Sequence, residues 1–264
     1  MSHSTTCLNC ETSTNGKFCS NCGQKTDTHR ITFKHFVVHD ILHGVWHFEK
    51  GLFFTLKEAI LRPGKAALEY ISGKRIKYYN VFYLTLIVIG LMLFIHHIQN
   101  ELSHRYFGTE LNPQGNDAGK RMDNFLGTYA KLIIFTFVPL FAINSFLIFK
   151  RKKLNFSEHF IIAGMIFLGI IIINFISTIL FFLEYVDFSI ADYTLDFLNI
   201  LTPLSILLFL VIHYYRVFSD SYTKSQNSIR IFLFLLLLLL EIALLMLLLF
   251  GYFTDWTFKL KLAY

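Results

Sequence analysis

From residue 81 onward the chain is written in long apolar runs separated by short polar stretches. Five runs stand out, at about 81–98, 129–149, 160–183, 195–215 and 231–253. Crossing the hydrocarbon of a bilayer takes about 20 residues of helix, so each run predicts a transmembrane helix. The fifth, "IFLFLLLLLLEIALLMLLLF", is the clearest, whereas Thr202 and Pro203 interrupt the fourth. The 99–128 segment is polar and rich in Gly and Asn, and it reads as an external loop.

Before residue 81 the pattern changes. Residues 31–80 carry Phe36, Val37, Ile41, Leu42, Val45, Trp46 and Phe48 at helical spacing. A second helix is predicted over 52–61, with Leu52, Phe53, Leu56 and Ile60 on one face. Pro63 then suits the first turn of a third helix ending at Ile71. None of these is long enough to span. A basic, aromatic, amphipathic segment just before a membrane helix is expected to lie in the interface, with Trp46, Tyr70, Tyr78 and Tyr79 at belt level. The fold class predicted is therefore an all-α polytopic membrane protein of about five transmembrane helices. Its expected parts are a cysteine module at 1–28, interfacial helices at 29–79 and a helix bundle at 80–264.

Composition agrees: 54% of residues are hydrophobic and only 16% charged, with a mean hydropathy of +0.51. The net charge of +6 adds an orientation. Eleven Lys and Arg lie in residues 1–80, four in 150–159 and three in 216–230, against three in 99–128, none in 184–194 and two in the C-terminal tail. The positive-inside rule makes the N-terminus cytoplasmic and, with five spans, the C-terminus periplasmic. Inner-leaflet charge accounts for the basic pI, so nucleic acid is not implied as a partner. The first 30 residues are polar and contain no apolar h-region, so no secretory signal is expected there.

All four cysteines fall in "CLNCETSTNGKFCSNC", spaced Cys7-x2-Cys10-x8-Cys19-x2-Cys22. Two CxxC pairs offer four thiolates, a tetrahedral donor set for one structural zinc. Two disulfides or a redox role are the alternatives, and a reducing cytoplasm disfavours disulfides. Gly23, just after the last cysteine, stands where such a knuckle needs positive φ.

The stretch "KHFVVHDILHGVWHFEKG" places His35, His39, His43 and His47 four residues apart, near Asp40 and Glu49. On a helix the first and last rungs are about 18 Å apart, so the four cannot share an ion. An adjacent pair can chelate, with His159, His213 or Glu158 as cytoplasmic-face partners. The alternatives are proton handling, or imidazoles simply sitting at the interface. Within the spans, Glu241 is an ionisable group at mid-depth, with Asn144 and Asn174 as its candidate partners. No Walker A, GxSxG, Rossmann or HExxH motif is present, and no catalytic residue is assigned.

The cysteine ribbon ending "FCSNCGQ", followed by "FEKGLFFTLKE", "RPGK" and "GKR", resembles a bacterial domain-of-unknown-function family, number 3667, from Cys7 to about Tyr79. At Val81 the chain departs from the Pro that the family carries. The resemblance implies an N-terminal ribbon, a multi-pass membrane region and the bacterial inner membrane, and no activity. Two functions remain open. One is an inner-membrane adaptor that presents a zinc ribbon to a cytoplasmic or membrane protein partner, with the lipid bilayer as its second partner. The other is a membrane-embedded enzyme or carrier acting on a lipid-type substrate at a His-rich cytoplasmic-face site.

Overall fold

The computed structural model describes residues 5–26, 31, 51–107, 117–182 and 188–256. The His ladder, with Asp40 and Glu49, lies outside the described residues. At the N-terminus β1 (Thr5–Thr6) pairs antiparallel with β2 (Ser13–Thr14). Two short helices follow, α1 (Leu52–Leu61) and α2 (Pro63–Ile71). Among the described residues five long helices follow: α3 (Val81–Phe107), α4 (Asp117–Ile148), α5 (Phe156–Leu180), α6 (Phe188–Phe218) and α7 (Lys224–Phe253).

Among the described residues, four helices contain segments long and apolar enough to cross a membrane: Val81–Leu102, Phe156–Leu180, Phe197–Phe218 and Lys224–Phe253. The apolar part of α4, Leu132–Ile148, is shorter. Yet α4 runs antiparallel along the whole of α7. Arg121 Nη2 donates to the Phe253 carbonyl (3.2 Å), Asn144 Nδ2 donates to Glu241 Oε2 (2.7 Å), and Arg230 Nη1 donates to the Ile148 carbonyl (2.6 Å). Contacts at both ends and the middle give α4 the same depth as its neighbour. The chain is thus a multi-pass helical membrane protein whose crossings number four by hydropathy and five by packing.

Within the 99–128 segment, read as a loop from its polarity, residues 99–107 and 117–128 are helical. Helix α3 continues to Phe107 and α4 already begins at Asp117. Hydropathy marks the depth of hydrocarbon, but a helix ends only where its backbone finds other partners. Pro139 and Pro203 both sit inside helices.

Helix α5 is the axis of the bundle. Every residue from Ser157 to Ile172 except Phe160 is buried, because α1, α2, α3, α4 and α6 all pack on it. In its span window 72% of residues are buried, against 17% in α7, although α7 is the more hydropathic. In lipid, hydropathy does not measure burial, since acyl chains are as apolar as leucine. The direction of each helix follows from its contacts with α5. Phe82 meets Phe160 at one end of α3, and Gln99 Nε2 donates to the Thr178 carbonyl at the other (2.8 Å), so α3 and α5 are parallel. Thr202 pairs with Ser177 and Phe218 stacks on His159, so α6 is antiparallel to α5.

Helices α1 and α2 form a hairpin about Arg62, whose φ of −154° breaks the helix before Pro63. Its buried face is small and polar: Thr55, Glu58, Ala59, Pro63, Gly64, Ala66 and Ala67. Phe53, which shares a face with Leu52, Leu56 and Ile60 by its spacing, is 83% exposed, and Ile60 and Leu61 are exposed too. Small residues admit close backbone approach, while bulky apolar ones face outward. The approach is closest at Gly169, where a Cβ would lie 2.3 Å from the Ala59 carbonyl oxygen and 2.5 Å from Phe209. Gly169 stands roughly 20 Å along α5 from its start, so α1 reaches into the bundle beyond its mouth.

Gly169→Ala is expected to lower stability by about 1–3 kcal/mol, the usual cost of overpacking. Leu240→Ala, on an outward face, should change it by less than about 0.5 kcal/mol. Thermal unfolding in a mild detergent measures both. An unchanged Tm for Gly169→Ala would mean that α1 does not fill this groove.

Candidate metal centre

The two CxxC segments fold as matching knuckles. The Cys7 carbonyl accepts from Glu11 N–H (2.9 Å), and Cys7 N–H donates to the Thr12 carbonyl (3.0 Å). The Cys19 carbonyl accepts from Gly23 N–H (2.8 Å), and Cys19 N–H donates to the Gln24 carbonyl (2.8 Å). Each tight turn requires a left-handed residue. Gly23 takes that position at φ +76°, and Glu11 takes it in the first knuckle at φ +62°.

The four sulfurs converge within 4.8 Å of one another, with Cys7–Cys22 and Cys10–Cys19 each at 3.6 Å. A disulfide requires about 2.05 Å, so these are free thiols. A tetrahedral ion with metal–sulfur bonds of about 2.3 Å requires sulfur–sulfur edges of about 3.8 Å. The donor set therefore fits one thiophilic metal ion. Local polarity favours thiolates at two positions. The Thr12 hydroxyl, then the Thr12 backbone N–H, bring Cys10 down to about 6. Backbone N–H groups of Cys10 and Asn9 lower Cys7. At Cys22 the Gln24 backbone also acts to lower it, but burial and the neighbouring sulfurs prevail and raise it to about 11. Four adjacent thiols resist ionising together until a cation offsets the mutual repulsion.

Gln24 fastens this knuckle to the membrane part. Its side chain is 2% exposed. Nε2 donates to the Gly73 carbonyl, and Oε1 accepts from the backbone N–H groups of Arg75 (3.2 Å) and Ile76 (3.3 Å). Gly73 adopts φ +103°, and a Cβ there would meet Leu8 Cδ1 at 2.6 Å. The next residues are held in turn to the helical hairpin. Glu69 accepts from Lys77 Nζ and from Tyr78 Oη (2.9 Å), and Tyr79 N–H donates to Thr55 Oγ1 (2.8 Å). Burial, then the Glu69 carboxylate, raise the Tyr78 phenol well above its usual range, so it stays a donor. Asn155, which caps α5 in a box with Glu158, also donates to the Ile31 carbonyl (2.9 Å). The cysteine module is thus joined to the bundle by directed hydrogen bonds. The "CGQ" stretch contained this signal, but nothing in the sequence assigned Gln24 a partner 49 residues away.

The remaining polar candidates are dispersed. His159 is buried, with Nδ1 2.8 Å from Ser145 Oγ and its ring stacked near Phe218. His213 is buried against Phe209, facing the α1–α2 hairpin. Among the described residues, the cysteines are the only group of three or more His, Cys, Asp or Glu side chains that converges. Of the two amides considered for Glu241, Asn144 meets it, whereas Asn174 donates to Met92 Sδ (3.3 Å).

A bundle of membrane-length helices with a four-cysteine cluster at one end defines the class: a multi-pass membrane protein with an N-terminal pair of cysteine knuckles whose thiols could hold one metal ion. Residues 49–93, spanning the hairpin and the start of α3, match the family described as protein of unknown function, DUF3667. No curated protein and no solved structure matches the chain.

Replacing Gln24 by Ala removes three hydrogen bonds at a buried junction, each worth about 0.5–1.5 kcal/mol. Hydrogen exchange at Arg75 and Ile76 should accelerate by at least tenfold, while the metal content of the purified protein stays the same. Unchanged exchange would show that this side chain does not hold the junction.

Proposed function

We propose that this protein is a non-enzymatic adaptor of the bacterial inner membrane, in which a structural zinc ribbon is presented to a cytoplasmic protein partner. The observation that carries the reading is the pairing of a four-thiol site with a rigid attachment through Gln24. The ribbon has too few apolar residues for a core of its own, so zinc would supply much of its folding energy. Zinc is the metal that best suits four thiolates in a reducing compartment. Leu8 and Phe18 are 47% and 57% exposed on the ribbon and offer contact points for a partner. The ribbon, the 150–153 basic loop and the ends of α6 and α7 bearing Arg216 and Arg230 share one end of the bundle. By the positive-inside rule that end is cytoplasmic, and the C-terminus is periplasmic. Sequence resemblance supports the bacterial assignment. The reading of a lipid-acting enzyme or carrier draws no support from His159 and His213, whose neighbours differ.

The purified protein should carry about one zinc per chain, lost in Cys19→Ser and released progressively as pH falls, because protons compete for the thiolates. A photo-crosslinker placed at Phe18 in cells should give a discrete adduct that disappears in Cys19→Ser. A reporter after Tyr264 should read periplasmic. More than one transition metal per chain, with no adduct, would favour the enzyme or carrier instead.

A further inference from the structure

The hairpin and α6 enclose a second site with no role in the ribbon. A cavity of about 200 Å³ is lined by Arg62, Gly64, Lys65 and Leu68 from the hairpin and by His213, Arg216, Val217 and Asp220 from the end of α6. Three of these residues are permanent or near-permanent cations and one is an acid. Arg62 is engaged, with Nη2 donating to Glu58 Oε1 at 2.9 Å. Lys65 and Arg216 are exposed and make no ion pair among the described residues.

Two independent features converge on this cavity. The first is the N-terminus of α2, nine residues long, which opens at Pro63 and has no side-chain cap. Gly64 and Lys65 occupy its first turn, where backbone N–H groups have no helical acceptor. The second is His213, which is 6% exposed and lines the cavity, with ring contact to Phe209 but no hydrogen bond to any described residue. Neither ring nitrogen is fully enclosed, so the imidazole stays open to a hydrogen-bonding group that enters the cavity. The walls fit closely: a Cβ on Gly64 would lie 2.3 Å from Val217 Cγ2 and 3.4 Å from the His213 carbonyl oxygen.

We propose that this cavity binds a phosphoryl group. A tetrahedral oxyanion can accept from the α2 backbone, from His213 and from Lys65 and Arg216 together, the donor arrangement that helix N-termini and basic side chains provide for phosphate. The 200 Å³ volume accommodates a phosphate with part of an ester substituent. Asp220 also lines the cavity and suits a substituent bearing donors of its own. The cavity lies at the end of the Phe197–Phe218 span, the depth at which lipid phosphates stand, so the phosphoryl group can belong to a lipid headgroup or to a free phosphate. This inference does not depend on the ribbon or on its partner.

The test uses the full-length protein in neutral detergent and follows thermal unfolding. The titrants are phosphatidic acid in mixed micelles, inorganic phosphate in the same buffer at constant ionic strength, and a neutral diacylglycerol as the tail control. A ligand that binds the folded state raises Tm with concentration. Phosphatidic acid is expected to raise it, and diacylglycerol to leave it unchanged. Stabilisation by inorganic phosphate at comparable concentration identifies a free phosphate as the natural source, and stabilisation by phosphatidic acid alone identifies a lipid. Lys65→Gln with Arg216→Gln should weaken binding at least tenfold, since each removes a charge-assisted hydrogen bond. Lys224→Gln, which removes an exposed charge outside the cavity, should weaken it less than twofold. His213→Gln keeps a donor and should retain more affinity than His213→Leu. The proposal is overturned if neither phosphate source shifts Tm, or if Lys224→Gln weakens binding as much as the cavity pair.

Discussion

The close contact between α1 and α5 at Gly169 governs how the rest of the molecule is arranged. A backbone carbonyl occupies the space where a side chain would begin. With lipid on all sides the hydrophobic effect gives helices little reason to associate, so close packing and a few hydrogen bonds must do so. Here the hairpin supplies the packing with Ala59, Gly64, Ala66 and Ala67, and it turns Phe53, Ile60 and Leu61 outward. The result, among the described residues, is a five-helix bundle with a two-helix wedge at one end, and α5 has almost no free surface between Ser157 and Ile172.

That wedge connects the two chemistries of the molecule. On one side, residues 73–79 run from the hairpin to α3 and receive both the Gln24 side chain and the Thr55 hydroxyl. On the other, the first turn of α2 closes a basic cavity against α6. The segment that matches a known family, residues 49–93, is this connecting part.

Intramembrane polar groups follow the same economy. Asn144 and Glu241 join α4 to α7, Ser177 and Thr202 join α5 to α6, and Gln99 joins α3 to α5. Each of these three helix pairs is joined by at least one such bond. In hydrocarbon an unpaired polar group costs more than in water, so these contacts set register between otherwise uniform apolar faces. Glu241 therefore has a structural partner.

Much of the architecture was legible in the residues themselves. The cysteine spacing implied a four-thiol cluster because two CxxC turns can present four sulfurs to one centre, and Gly23 announced its left-handed turn. Pro63 located the break between α1 and α2, and the apolar runs located the bundle, because helix length in a membrane is set by bilayer thickness. The sequence could not rank the spans by burial, since leucine is equally at home against protein and lipid. It read 99–128 as a loop, since polarity reports solvent and not hydrogen bonding. It grouped Phe53 with Leu52, Leu56 and Ile60 but could not say that Phe53 faces outward, because helical spacing shows which residues share a side but not which side meets a neighbour. Gln24 bonding to Gly73, α1 resting on Gly169 and His213 facing the α2 N-terminus join positions tens to hundreds of residues apart. Only the tertiary structure decided these, because each depends on how two backbones approach, and that distance is a property of the packed bundle.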